Sequence, residues 1–206
     1  QTLELIKELQ AQEYLKEFYL VGGTALALHL NHRQSVDIDL FSNTAFDTNA
    51  LLEAIQQDFN YQISLTATNT LKGSINGIKV DFIAHRYPYL NPPVTVSGIQ
   101  TLSLPDITAM KVNAIVTSGQ RSKDFIDIYY LTDLFSVESM VSFYKTKYSQ
   151  DNDTFLLKSL IYFDEVDLSD WPVMITDRSL KWSTIKKRLS SLVLEYTRKQ
   201  SKGLLG

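Results

Sequence analysis

The most constraining feature of the sequence is a pair of acidic residues in an apolar run, SVDIDLF, at residues 35–41. The alternation of polar and apolar residues predicts a β-strand, in which residues i and i+2 face the same side. Asp37 and Asp39 are therefore expected to project together, while Val36, Ile38 and Leu40 face the opposite layer. Two carboxylates this close repel each other unless a proton or a cation lies between them. We expect the strand either to hold a cation or to lie exposed, with two solvated acids.

A divalent metal ion is the cation that this arrangement favours. Mg²⁺ prefers oxygen ligands, keeps several waters and often binds one or two carboxylates together with substrate phosphates. A third carboxylate, Asp81, lies in the later apolar segment IKVDFIA. If the two strands are neighbours, three carboxylates can hold two metal ions for an in-line displacement at a phosphoryl group. We therefore predict that Asp37, Asp39 and Asp81 bind Mg²⁺ or Mn²⁺, and that Asp81 acts as a base toward the attacking hydroxyl.

A glycine pair upstream of the acidic strand predicts a site for phosphate. In the stretch FYLVGGTALALHL, a short strand precedes Gly22 and Gly23, and a helix follows with Thr24 as its N-cap. Glycine lets the backbone come close to a phosphate, and the start of a helix offers N–H groups that bind anions. We expect Gly22, Gly23 and Thr24 to hold a nucleoside triphosphate beside the two aspartates.

The two halves of the chain differ in their predicted secondary structure. In the first half, apolar residues at helical spacing predict helices at residues 3–17 and 47–59, between segments that alternate as strands do. A hairpin is predicted to turn at Asn76-Gly77. A segment with three prolines follows at residues 86–94 and is expected to be irregular. The second half reads as a series of helices.

We therefore predict an α+β protein with two domains. Residues 1–98 form an α/β core, and residues 99–206 form a helical domain. The active site is expected in the cleft between these two domains.

The composition bounds the class of protein. Hydrophobic residues make up 44% of the 206 residues and charged residues 21%, as in soluble globular proteins. The absence of cysteine excludes disulfides and thiolate metal sites. Because no apolar run approaches the ~20 residues of a membrane span, we expect a cytoplasmic protein without a membrane partner. The net charge of −3 means that a nucleic-acid partner would need a local basic patch.

These motifs resemble a known superfamily. The stretch LVGGTALALHLNHRQSVDIDLF, residues 20–41, is similar to the signature of nucleotidyltransferases, with a glycine pair, a helix and then Asp-x-Asp on a strand. More narrowly, AMKVNAIVTSGQRSKDFIDIYYL, residues 109–131, resembles the helical Lys and Lys/Arg-Asp-x-x-Asp motif of the AbiEii/AbiGii toxin-type nucleotidyltransferases. The resemblance implies a mixed-sheet core like that of polymerase β, followed by a helical domain.

The resemblance also implies roles for residues outside the acidic strands. The lysine of the helical motif falls on Lys111, which would contact nucleotide phosphate, and its paired acid falls on Asp124. The arginine before the metal-binding strand falls on Arg33 and would bind nucleotide. Three further positions of the helical motif stay open: Asp127 either joins the site or only compensates charge at the helix start, and either Arg121 or Lys123 takes the place of a family arginine.

The function implied is metal-dependent transfer of a nucleoside monophosphate from an NTP to an acceptor hydroxyl, releasing pyrophosphate. The resemblance points to the toxin of a toxin–antitoxin or phage-defence system, with a tRNA end, another RNA or a protein as acceptor and a cognate antitoxin as partner. Two alternatives remain open: a nucleotidyltransferase acting on a small molecule of the antibiotic type, and a nucleotide-binding module without catalysis.

Overall fold

The computed structural model describes the backbone of residues 1–203 and the side chains of residues 1–201. The chain packs into two compact units. Unit 1 consists of Gln1–His29 and Ser35–Leu104, and unit 2 consists of Leu30–Gln34 and Pro105–Gly206, of which residues 204–206 lie outside the described part. The predicted boundary at residue 98 falls inside unit 1, and a functional division there stays a prediction.

Unit 1 is built on a mixed sheet that comprises seven strands within residues 19–101. The strands are β1 (Tyr19–Val21), β2 (Ile38–Ser42), β3 (Tyr61–Ala67), β4 (Thr70–Ile75), β5 (Ile78–Ala84), β6 (Val94–Val96) and β7 (Ile99–Thr101). Their order in the sheet is β3-β4-β5-β2-β1-β7-β6. The central strand β2 runs parallel to β5 and antiparallel to β1. Strands and helices together give the α+β class that the sequence predicts.

One face of the sheet contributes to the hydrophobic core of unit 1, because apolar residues alternate with polar ones along the central strands. Ile38 and Leu40 of β2 and Val80 and Phe82 of β5 are completely buried. The residues between them, among them Asp39, therefore face the other side of the sheet. This alternation gives β2 the two faces that the sequence predicts.

The helical segments of unit 1 either precede the first strand or lie between strands in sequence. They are α1 (Thr2–Gln10), a short 3-10 turn (Glu13–Leu15), α2 (Gly22–Leu30) and α3 (Thr48–Asp58). The side chain of Asp47 caps α3 by accepting hydrogen bonds from two backbone N–H groups in its first turn. The predicted helix at residues 3–17 is wrong beyond Gln10, because the backbone turns to an extended conformation at Gln12 (φ −79°, ψ 129°).

Unit 2 contains five helices within residues 104–203. They are α4 (Leu104–Thr117), α5 (Ser122–Leu131), α6 (Val137–Tyr148), α7 (Asp153–Leu160) and α8 (Trp182–Gly203). Apolar residues of these helices, such as Val112, Phe125 and Met140, are buried and form the core of the unit. Within the part of the chain that is described, no helix has both the length and the apolar character needed to cross a lipid bilayer.

A short segment that precedes β2 belongs to unit 2. Leu30–Gln34 pairs there with residues near Met174 through backbone hydrogen bonds, with Gln34 N 2.8 Å from Val173 O and Ile175 N 2.9 Å from His32 O. These bonds position the side chains of His32 and Arg33 in the interior of unit 2, where both are buried.

Candidate active site

Two of the predicted metal ligands lie side by side in the sheet of unit 1. Asp39 of β2 and Asp81 of β5 are register partners on adjacent parallel strands. Neighbouring strands are about 4.8 Å apart, and paired residues project to the same face. Asp39 is partly exposed, whereas Asp81 has only 2% of its surface exposed. The condition for the predicted carboxylate site, that the two strands are neighbours, is therefore met.

Asp37 lies one residue before β2 begins and is exposed. Its backbone carbonyl oxygen accepts a hydrogen bond from Thr24 Oγ1 at 2.5 Å, and the same hydroxyl lies 3.0 Å from Ser35 Oγ. Thr24 is the third residue of α2 and not its N-cap, so this hydroxyl does not cap the helix. Its hydrogen bond links the first turn of α2 to the residues that lead into β2.

The start of α2 approaches Asp39 very closely. Gly22 has a φ of +71°, in the left-handed region that favours glycine, and a Cβ built on it would lie 2.5 Å from Asp39 Oδ2. A side chain at this position is therefore excluded both by the backbone conformation and by space. The N–H groups of the first turn, which includes Gly23, have no partners inside the helix, and so they form a potential anion site beside Asp39.

Two lysines that the sequence reasoning missed lie against Asp81. Lys79 Nζ is 3.1 Å from Asp81 Oδ2, and Lys72 Nζ is 4.0 Å from the same oxygen. The other carboxylate oxygen, Oδ1, is buried and has no hydrogen-bond partner. Lys79 could have been found from the sequence, because it precedes Asp81 by two residues on a predicted strand and therefore shares its face.

The three aspartates act together on Lys79. Partial burial lowers the pKa of the Lys79 ammonium, but its hydrogen bond with Asp81 and the charges of Asp39, Asp81 and Asp37 outweigh this, and the pKa is raised. All three carboxylates thus lie within electrostatic reach of one cation. Even so, no group of three or more His, Asp or Glu side chains in the described part of the chain is arranged as a set of metal ligands. The three-carboxylate metal centre therefore stays a prediction.

The other predicted residues meet in the interior of unit 2. Asp127 accepts hydrogen bonds from Arg33 Nε at 2.7 Å and Arg33 Nη2 at 2.9 Å, and it lies 2.8 Å from His32 Nε2. Lys111 Nζ lies 2.7 Å from Asp127 Oδ2 and 2.8 Å from Asp124 Oδ1. We call these five residues the buried charge cluster. Each of them has at most 6% of its surface exposed.

Charge matching stabilises this cluster, since an unpaired charge would be costly there. Burial alone raises the pKa of Asp127, but the positive charges of Lys111 and Arg33 and the hydrogen bonds from His32 and Arg33 hold that pKa well below its usual range. Burial lowers the pKa of Lys111, yet the charges of Asp127 and Asp124 raise it overall. Lys111 and Asp127 are therefore both charged at neutral pH.

The cluster bears directly on the predicted nucleotide contacts. Asp124 Oδ1 lies 2.8 Å from Lys111 Nζ, so these two residues of the motif form an ion pair. The ammonium of Lys111 is held by two carboxylates, and the guanidinium of Arg33 is bound by Asp127. Contacts of Lys111 and Arg33 with nucleotide stay predictions.

Arg121 and Lys123, the two candidates for the position of the family arginine, lie elsewhere in unit 2. Lys123 Nζ is 2.5 Å from the exposed Asp170, and Arg121 is exposed at the N-cap of α5, where its backbone pairs with Asp167. Neither of them is among the cluster residues, so the choice between the two remains open.

Comparison with known proteins decides the family. The family model described as the nucleotidyl transferase AbiEii toxin of type IV toxin–antitoxin systems matches residues 4–195. This match covers most of the chain. The chain belongs to the AbiEii family. It is accordingly a nucleotidyltransferase, and the resemblance found in its motifs is confirmed.

Individual relatives extend the comparison. An uncharacterised protein of Aquifex aeolicus (strain VF5), aq_aa25, is 32% identical over 171 residues, which are 79% of this chain and 81% of that protein. The solved structure of the nucleotidyltransferase toxin MenT4 from Mycobacterium tuberculosis H37Rv is similar with a TM-score of 0.60 at 12% identity, covering 93% of this chain and 81% of MenT4. JHP933 from Helicobacter pylori gives a TM-score of 0.58 at 18% identity, covering 98% and 93% of the two chains. These likenesses show that the AbiEii chain has the nucleotidyltransferase fold.

Proposed function

We propose that this AbiEii-family protein transfers a nucleoside monophosphate from an NTP to an acceptor hydroxyl on the Asp39/Asp81 face of unit 1. The bond from the acceptor oxygen to the α-phosphorus forms, the bond from that phosphorus to the β-phosphate oxygen breaks, and pyrophosphate leaves with the electron pair. The observation that carries the proposal is the register pairing of Asp39 with Asp81, directly beside the glycine that begins α2.

The residues present fit a divalent cation. Asp39 and Asp81 supply neighbouring carboxylates, the buried Oδ1 of Asp81 has no protein partner, and a lysine ammonium already lies against this acid. Asp39, Asp81 and the exposed Asp37 would hold Mg²⁺ or Mn²⁺. When bound, the ion would neutralise the triphosphate and lower the pKa of the attacking hydroxyl.

The residues of the chain have separate tasks in this reaction. The N–H groups of Gly22, Gly23 and Thr24 bind phosphate oxygens. The hydrogen bond from the Thr24 hydroxyl to the Asp37 carbonyl fixes the distance between these N–H groups and the acidic strand. Asp81 accepts the proton of the acceptor hydroxyl. Catalysis is then mainly a matter of positioning and of stabilising the charge that develops on the phosphate.

We propose that the acceptor is an RNA end, such as that of tRNA, or a protein. The description of the family as a toxin of a toxin–antitoxin system supports a toxic activity that a cognate antitoxin restrains. An acceptor of the antibiotic type is the rival, since the antibiotic-resistance factor ANT(2'')-Ia shares the fold with a TM-score of 0.53 at 14% identity, covering 70% of this chain and 91% of that factor.

A label-transfer screen tests the proposal. Each NTP, labelled at the α-phosphate, is incubated with the protein and Mg²⁺ or Mn²⁺, with total tRNA, protein extract or aminoglycosides as acceptor. We expect label on RNA or protein, lost in Asp39→Asn and kept in Glu53→Gln, a matched change of an exposed acid in unit 1. Label only on aminoglycosides would favour the small-molecule reading. Tight NTP binding without transfer to any acceptor would contradict the enzyme proposal.

A further inference from the structure

Lys79 lies where the proposed metal ion would act. It precedes Asp81 by two residues on β5, so the two side chains share one face of the sheet. Its ammonium is 3.1 Å from Asp81 Oδ2. Lys72, which pairs in register with Asp81 from β4, lies farther away at 4.0 Å.

Asp81 needs a positive charge beside it. Its side chain is almost fully buried, and a buried carboxylate is costly unless it is paired. One of its oxygens, Oδ1, has no hydrogen-bond partner. Lys79 is the nearer of the two ammonium groups that compensate this charge, and it leaves the Oδ1 atom of Asp81 without a hydrogen bond.

Lys79 can leave this position at little structural cost. Its side chain is 52% exposed, whereas that of Asp81 is 3% exposed. The flexible four-carbon stem of a lysine lets the ammonium move into solvent without a change in the backbone. The acid is fixed in the sheet, whereas the half-exposed ammonium has room to move away, as expected of a counter-ion that can be exchanged.

We propose that Lys79 is a built-in counter-ion that neutralises the Asp39/Asp81 face until a divalent metal ion takes its place. This inference rests on the proposed function, because it assumes that the metal binds at that face. Lys79 then sets the metal concentration at which the site fills, since every binding event must displace the ammonium. Lys79 therefore acts only through Asp81 and does not contact the substrate.

Metal binding measured without substrate tests the exchange. Mn²⁺ titrations followed by electron paramagnetic resonance compare the full-length protein with Lys79→Met and Lys72→Met. We expect Lys79→Met to bind Mn²⁺ about two- to fivefold more tightly. Lys72→Met removes the same charge from the same face at a longer distance and should change the affinity much less. Equal tightening in both variants would mean a general charge effect and would overturn the proposal.

Thermal unfolding gives a second readout. Without added metal, Lys79→Met should unfold at a lower temperature than the wild type, because Asp81 loses its partner. Saturating Mn²⁺ should raise the unfolding temperature more in Lys79→Met than in the wild type. An equal rise in both proteins would overturn the proposal.

A measurement on the unaltered protein makes the test independent of whether the variants fold. Amine acylation followed by mass spectrometry reports how accessible each lysine is. Mn²⁺ should increase the labelling of Lys79 and leave that of Lys187, an exposed lysine of unit 2, unchanged. Unchanged labelling of Lys79 at saturating Mn²⁺ would overturn the proposal that the metal displaces Lys79, but not the proposed metal site. Failure of every form to bind Mn²⁺, with or without NTP, would overturn the proposed metal site as well.

Discussion

Gly22 approaches Asp39 so closely that a Cβ on the glycine would lie 2.5 Å from the Asp39 carboxylate. This approach joins the start of α2 to the acidic strand. In the proposed reaction the same contact holds the triphosphate beside the carboxylates, so the two halves of the candidate site depend on one residue.

Replacing Gly22 tests this dependence. Gly22→Ala should abolish transfer, because the added methyl group pushes Asp39 away, and it should destabilise the protein by about 1–2 kcal/mol for the positive φ alone. Gly77→Ala is the matched control: Gly77 also has a positive φ (+79°), but a Cβ there meets no atom within 4 Å. Label transfer and urea unfolding measure the two effects. Equal transfer by both variants would contradict the role of the Gly22–Asp39 contact.

The sequence predicted several local structures of unit 1 because their signals are local. The glycine pair, the two-faced strand and the Asn76-Gly77 turn all depend on neighbouring residues, and the structure has positive φ angles at both turn residues (51° and 79°). The β6–β7 hairpin was missed because its strands have three residues each and follow the segment with three prolines. In strands of three residues, the alternation of polar and apolar residues is too short to predict a strand.

Long-range packing could not be read from the sequence. The burial of His32 and Arg33 in unit 2 depends on pairing of Leu30–Gln34 with the chain near Met174, some 140 residues away along the sequence. For Asp127 the sequence left open a role in the site or only charge compensation at the helix start, whereas the structure places it at the centre of the buried charge cluster. Only the three-dimensional structure shows which charges compensate each other.

Asp127 should be the most sensitive residue of unit 2. Asp127→Asn removes the charge that pairs with Arg33 and Lys111 and should cost about 3–5 kcal/mol of stability. Asp133→Asn breaks the more exposed pair with Arg188 and should cost at most about 1 kcal/mol. Chemical denaturation of both variants measures the difference. A cost for Asp127→Asn no larger than that of the control would contradict the role assigned to the cluster.

The same residue predicts how stability depends on pH. The folded pKa of Asp127 lies below that of an unfolded aspartate, about 3.9. Its contribution is therefore fully present above that value and is lost as the pH falls through the lower folded pKa. The difference in unfolding temperature between the wild type and Asp127→Asn should be constant from pH 7 to 5 and shrink below about pH 4. A difference that stays constant down to pH 2.5 would contradict this assignment.

Lys111 can be tested for a phosphate contact separately from its structural role. Lys111→Met alone should destabilise unit 2, because Asp124 loses its partner. Adding Asp124→Asn should restore about 0.5–3 kcal/mol through the coupling of the pair. If Lys111 binds phosphate, calorimetry should show weak NTP binding by the double variant despite its recovered stability. Wild-type affinity in the double variant would remove Lys111 from the nucleotide site.

The most direct test of the central claim is a crystal structure of the protein with Mn²⁺ and a non-hydrolysable NTP analogue. We expect an Mn²⁺ ion, located by its anomalous-scattering peak, bound to oxygens of both Asp39 and Asp81, with the triphosphate at the first turn of α2. An analogue bound elsewhere, with no Mn²⁺ at these two carboxylates, would contradict the central claim.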